Sequence, residues 1–182
     1  MNRAEKRRQE KLAKKAAGNA RLGKATSPSP GQQKPAVQQA LDLAVQHHTA
    51  GRLPQAESIY QQVLLADPNQ PTALHLLGVI AHQVGKNDTA VDLITQAIVI
   101  KPDYVEAYNN LGNAFQELGK PEDAASSFHK ALAIKPDFAE AHYNLGFALQ
   151  ELGRLDEAAA SYHEALAIKP DYGDAHYNLG NV

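Results

Sequence analysis

The sequence predicts an all-α solenoid of antiparallel helix pairs, on three observations. Residues 105–138 and 139–172 match at 21 of 34 positions, and a fixed period of that size marks a repeat array. Within a period, apolar residues recur at helical spacing: Ala107, Leu111, Ala114, Phe115 and Leu118 form one stripe. Gly and Pro punctuate at constant phase, with Gly51, Gly85, Gly119 and Gly153 closing the first helix of each pair. Pro68, Pro102, Pro136 and Pro170 close the second. The repeats fall at 37–70, 71–104, 105–138 and 139–172, with a partial fifth at 173–182.

Residues 1–36 precede this array as a basic, low-complexity arm and linker. They hold ten Lys/Arg against Glu5 and Glu10, a net +8, whereas residues 37–182 hold 8 basic and 18 acidic residues, a net −10. Such opposition separates two physical regimes in one chain. Residues 1–21 are rich in helix formers, but Leu12 is almost their only large apolar side chain. A helix there has no face to bury, so a disordered or marginally helical arm is predicted. Residues 23–35 are linker chemistry, with Pro28 and Pro30 opposing a regular helix. The basic stretch between Arg3 and Lys24 is of the kind that nucleic acid or an anionic membrane attracts. Lacking an aromatic residue to stack on bases, it reads better as a solvated tail.

In the array, acidic residues open the second helices (Asp88, Glu122, Asp123, Asp156, Glu157) where they favour the helix dipole. Lys101, Lys135 and Lys169 are expected on the final carbonyls. Gly78, Gly112, Gly146 and Gly180 recur in mid-helix, where Gly costs about 1 kcal/mol relative to Ala. That repetition implies close approach to the facing Ala56, Ala90, Ala124 and Ala158. Tyr60, Ile94, Phe128 and Tyr162, four residues further on, are expected to fill the space toward the next repeat.

The first repeat reads as a degenerate terminal unit, with Ala44 for the Gly, Ala40 and His47 at large apolar positions, and Pro54 early in its second helix. His142 and His176 replace a large aromatic at the fourth position. The sequence stops at Val182 partway through a helix without a cap. This leads to two expectations: that it belongs to a longer protein, and that exposed Tyr177 and Leu179 favour self-association through the last repeat.

Composition excludes several chemistries. Without cysteine there is no disulfide and no thiolate metal site. No apolar run approaches the roughly 18 residues of a membrane span, and the charged N-terminus lacks a secretory apolar stretch; the expected location is the cytoplasm. Eight histidines are present, and His75 and His82 share a helical face, but they read as scattered surface residues and not as three or four converging zinc ligands. No phosphate-cradling Gly-rich loop, nucleophile elbow or HExxH motif occurs. No cofactor and no catalytic residue is assigned, and the chain as given is not read as an enzyme.

One polar pattern asks for a reason. Asn110, Asn144 and Asn178 share one phase of the first helix, with Asn113 and Asn181 three residues later and Asn109, Tyr143 and Tyr177 beside them. Asn is a poor interior helix former. Either duplication has carried a neutral residue along, or the amides form a ladder that binds an extended peptide's backbone.

The pattern Leu111-Gly112, Phe115, Ala124, Phe128 and Pro136 resembles the tetratricopeptide repeat. The resemblance implies a right-handed superhelix whose concave groove holds a protein or peptide ligand, making the chain a protein–protein interaction scaffold. In wording, residues 71–182 further resemble the repeats that precede the catalytic domain of O-linked N-acetylglucosamine transferases and their bacterial relatives. Those repeats carry a concave asparagine ladder, which Asn110, Asn144 and Asn178 match; Asp42 and Leu76 interrupt it in the first two repeats. The alternative this implies is the substrate-recognition region of a glycosyltransferase or other modifying enzyme whose catalytic domain lies beyond Val182. The family's carboxylate-clamping groove needs cations where this chain has Gln38, Thr72, Glu106 and Glu140, so that ligand class is not expected.

Overall fold

The structure, a computed structural model, describes the backbone of residues 30–182 and the side chains from Pro35 onward. The expectations for the basic stretch between Arg3 and Lys24, and for Pro28, lie outside the described residues. The compact unit that holds the array is Val37–Val182. Among the described residues there are nine helices and no strand. They are α1 (Pro30–Thr49), α2 (Leu53–Ala66), α3 (Pro71–Gln83), α4 (Asn87–Ile100), α5 (Val105–Glu117), α6 (Pro121–Ile134), α7 (Ala139–Glu151), α8 (Leu155–Ile168) and α9 (Gly173–Leu179). Odd-numbered helices open the repeats and even-numbered helices close them.

Each turn between paired helices carries a glycine in the left-handed region: Gly51, Gly85, Gly119 and Gly153 have φ of 71°, 77°, 66° and 71°. A side chain would be strained there, and the reversal lets the next backbone N–H return to an orphan helix carbonyl, as Lys120 N does to Phe115 O at 2.9 Å. The expected acidic residues do occupy the first turns of α4, α6 and α8.

Two expectations are corrected. Pro30 does not oppose a helix; it begins α1, where its missing N–H costs nothing, and the helix continues through Pro35. Pro54, expected early in the second helix of its repeat, does sit in the first two positions of α2. The ammonium groups of Lys101, Lys135 and Lys169 do not cap carbonyls but lie over the rings of Tyr104, Phe138 and Tyr172, at 4.4, 5.3 and 4.6 Å from the centroids. It is their backbone N–H groups that reach the helix carbonyls, of Ala97, Ala131 and Ala165.

Gly78, Gly112 and Gly146 meet not the expected alanine side chains but a ring or branched side chain of their own repeat, while Gly180 meets neither. A Cβ on Gly112 would lie 2.4 Å from Phe128 Cε1, one on Gly146 2.6 Å from Tyr162 Cε1, and one on Gly78 2.6 Å from Ile94 Cγ1. Phe128 and Tyr162 are fully buried and join one cluster with Leu145, Ala148 and Leu149 of the fourth repeat's first helix. The ring therefore packs both on its own glycine and on the following repeat, and the core runs as a line of such joints. At the end of the array Tyr177 is 73% exposed. Leu179 differs from expectation, because it packs with Val182 on that same cluster.

Successive first helices touch, α3 with α5 and α5 with α7, and among the described residues successive second helices make no comparable approach. The array therefore curves with its first helices on the inside. That inner wall is where the asparagines lie.

Candidate functional site: the inner wall of the array

Every pair of neighbouring first helices is joined by polar side chains. His48 Nε2 on α1 lies 3.2 Å from Gln83 Oε1 at the end of α3. On the next seam, Asn110 Nδ2 is 2.8 Å from His75 Nε2, and His75 Nδ1 is 2.9 Å from the Tyr104 hydroxyl. Between α5 and α7, Asn144 Nδ2 donates to Asn109 Oδ1 at 3.1 Å and to Asn113 Oδ1 at 3.0 Å, while Asn109 Nδ2 donates to Glu140 Oε1 at 3.0 Å. Between α7 and α9, Asn178 Nδ2 donates to the Tyr143 hydroxyl at 3.2 Å.

The seams thus engage the amide N–H groups of the ladder. Among the described residues, Oδ1 of Asn110, Asn144 and Asn178 accepts no hydrogen bond from a side chain or backbone N–H. All three residues are half-buried, so each carbonyl oxygen remains an acceptor at the wall. Asn109 differs: at 2% exposure it lies beneath the surface and fastens Glu140 and Asn144 in place. Asn113 accepts from Asn144, Tyr143 is half-buried, and Asn181 is exposed beyond α9.

Histidine is where sequence reasoning missed most. His75 is 3% exposed, not a surface residue. Burial, outweighing the opposing pull of the Glu106 carboxylate, lowers its pKa to about 4. The ring is neutral at pH 7, with one donor and one acceptor nitrogen. Nε2 accepts from Asn110 and Nδ1–H is directed at Tyr104. The rings of His75 and Tyr104 also meet edge to face at 4.6 Å. His142 Nε2 and His176 Nε2 reach the carbonyls of Pro136 and Pro170, at 2.8 and 2.9 Å. These bonds explain why an imidazole stands at the fourth position: it holds the loop entering its own repeat. The signal available in sequence was the constant separation of six residues from each proline.

In the fourth repeat the wall is aromatic. Tyr143 and Tyr172 lie 4.9 Å apart in a tilted stack. The Tyr172 hydroxyl is pushed up to about 12, first by burial and then by Glu140, Tyr143 and Asp174. Among the described residues no group of His, Asp or Glu is placed to hold a metal ion. No helix among them is long and apolar enough to cross a membrane.

The family profile described as TPR repeat matches residues 80–119, 112–153 and 148–182, and the one described as Tetratricopeptide repeat matches 37–62. The chain belongs to the tetratricopeptide-repeat family. Solved structures agree with this fold. MamA is similar with a TM-score of 0.70 and 28% identity over 76% of this chain and 81% of that one. TTC0263, a thermophilic tetratricopeptide protein of Thermus thermophilus, has a TM-score of 0.68 and 27% identity over 80% of each chain. The first tetratricopeptide domain of Spaghetti (RPAP3), bound to the HSP90 peptide SRMEEVD, has a TM-score of 0.61 and 26% identity over 63% of this chain and 91% of that one. No curated protein matches this sequence.

Proposed function

We propose that this tetratricopeptide array is a protein–protein interaction scaffold that holds an extended peptide or partner segment against its inner wall. The observation that carries the reading is the row of Asn110, Asn144 and Asn178, whose N–H groups are engaged between repeats while their carbonyl oxygens are left free. Such a row offers fixed acceptors to the backbone N–H groups of a ligand, so it reads backbone and not side chains. The RPAP3 domain, a relative in fold, binds a peptide, which supports the same use of the scaffold here. The reading as the recognition region of a transferase rests on the wording of its repeats alone.

Each backbone hydrogen bond is worth about 0.5–1.5 kcal/mol net. Replacing Asn110, Asn144 and Asn178 together by Ala should weaken binding of an extended peptide by roughly 2–4 kcal/mol on that figure. Helicity should persist, since Ala is the better helix former. A peptide-library comparison of wild type and triple variant, with circular dichroism as the folding control, measures this. A folded variant that keeps its full set of ligands would show the asparagines to be seam fasteners only.

A further inference from the structure

The inner wall has a charge pattern of its own. Helices α3, α5, α7 and α9 contain no lysine or arginine. Glu106, Glu140 and Asp174 stand at the second position of the third, fourth and fifth repeats, and all three are exposed. The ion pair found among the described residues is Arg154–Glu157, at the start of α8; none of the three wall carboxylates has one. Lys101, Lys135 and Lys169 come close in sequence, but their ammonium groups lie over aromatic rings. One of the wall carboxylates is also positioned: Glu140 accepts from buried Asn109, itself bonded to Asn144. The surrounding unit, residues 37–182, carries a net charge of −10.

Resting on the peptide-binding reading above, we propose that the ligand is a basic segment in polyproline II conformation with Lys or Arg at every third residue, its cations meeting Glu106, Glu140 and Asp174. The spacing makes the argument. Packed helix axes lie roughly 8–10 Å apart, and with one carboxylate and one Asn oxygen per first helix both rows are expected to recur at about that interval. A β-strand rises about 3.3 Å per residue with side chains alternating in direction. Two residues on one face of a strand are then about 7 or about 13 Å apart, and neither fits. A polyproline II chain turns once in three residues at about 3.1 Å each, which brings every third side chain to one side at about 9 Å. Its backbone makes no internal hydrogen bonds, so its N–H groups are available to the Asn oxygens in the same register. An acidic ligand is disfavoured by like charge, and a basic one associates faster and with strong dependence on salt.

The test uses the full chain and three fluorescent peptides of equal length. One has Arg at every third position, one has the same composition with the Arg residues clustered, and one has Gln for Arg. Binding is measured at low and at physiological salt. The second protein is the Glu106→Gln/Glu140→Gln/Asp174→Asn variant, which keeps an acceptor oxygen at each site. The every-third peptide should bind on the order of ten-fold tighter than the other two, and the variant should remove that advantage and flatten its salt dependence. Equal binding of clustered and every-third peptides, or an advantage that survives in the folded variant, overturns the inference. If all three peptides bind equally and the Asn→Ala triple variant abolishes binding, the groove reading stands and the charge rule falls. If wild type binds none of them, both fall.

Discussion

The third and fourth repeats are near copies that are wired differently. Phe128 and Tyr162 hold the same place, each without exposure, each on the bare backbone of Gly112 or Gly146. Core identity there is set by space, and a hydroxyl on the ring is immaterial to the packing. It matters one layer out. The Tyr162 hydroxyl donates to Gln150 Oε1 at 2.9 Å, whereas Gln116, the counterpart of Gln150, has a buried Nε2 with no partner. On the inner wall, Asn109 and Asn113 in the third repeat face Tyr143 and Phe147 at the same phases in the fourth. Duplication therefore preserved the apolar joint and left each polar seam to its own solution.

The largest test of that view concerns the seam that uses an imidazole in place of an amide. The His75 pKa is about 4 in the folded chain against a usual 6.5, so the unfolded chain takes up the proton first as pH falls. Its contribution is fully present above pH 6.5 and is lost as pH falls to about 4, by roughly 3 kcal/mol across the window. His75→Asn, which installs the residue of the third repeat, should lose that component. Urea midpoints of both proteins at pH 7.5 and pH 4 measure it, and parallel pH dependence would remove His75 from the account.

Next in size is the joint itself. Gly112→Ala would press a Cβ into the Phe128 ring at 2.4 Å. Overpacking of this kind costs about 1–3 kcal/mol, offset by about 1 kcal/mol of helix propensity. A net loss of up to about 2 kcal/mol is expected on these figures. Gly180→Ala meets nothing nearer than 3.5 Å and should be neutral or slightly stabilising. Equal melting temperatures for the two variants would mean that the ring yields freely and the glycine is only inherited.

The smallest effect sharpens the comparison most. Phe128→Tyr should give Gln116 the partner that Gln150 has and gain about 1 kcal/mol. Tyr162→Phe should leave Gln150 Oε1 without its donor and lose about as much. Opposite signs in thermal melts are the expected result, and two losses would show that the sites differ by more than a hydroxyl.

Much of the fold was legible before any coordinates. The 34-residue register, the left-handed glycines and the acidic first turns all act through residues close in sequence or through a strict period, whereas the mid-helix glycines were expected against alanines and it is Ile94, Phe128 and Tyr162 that meet them. The inner wall was legible only as a phase. That Asn110, Asn144 and Asn178 share a side of the array followed from periodicity, but that their N–H groups are engaged did not. Nor did the lysines' choice of a ring over a carbonyl, since both lie within reach of the same flexible stem.

What the sequence alone determined is everything that backbone geometry and repetition dictate: helix pairs, their turns, and which face of each helix is apolar. Those signals work over about four residues, or over an exact period, and leave a mark that can be read along the chain. What tertiary structure decided is which polar groups are used up. Asn109, Asn113 and His75 find their partners 31–35 residues away, across a seam that exists only once the repeats stack. Whether an amide there is a fastener or a free acceptor depends on the side chain that stacking brings opposite it. For that reason the placement of the asparagines could be derived from their spacing, while their remaining hydrogen-bonding capacity had to be seen.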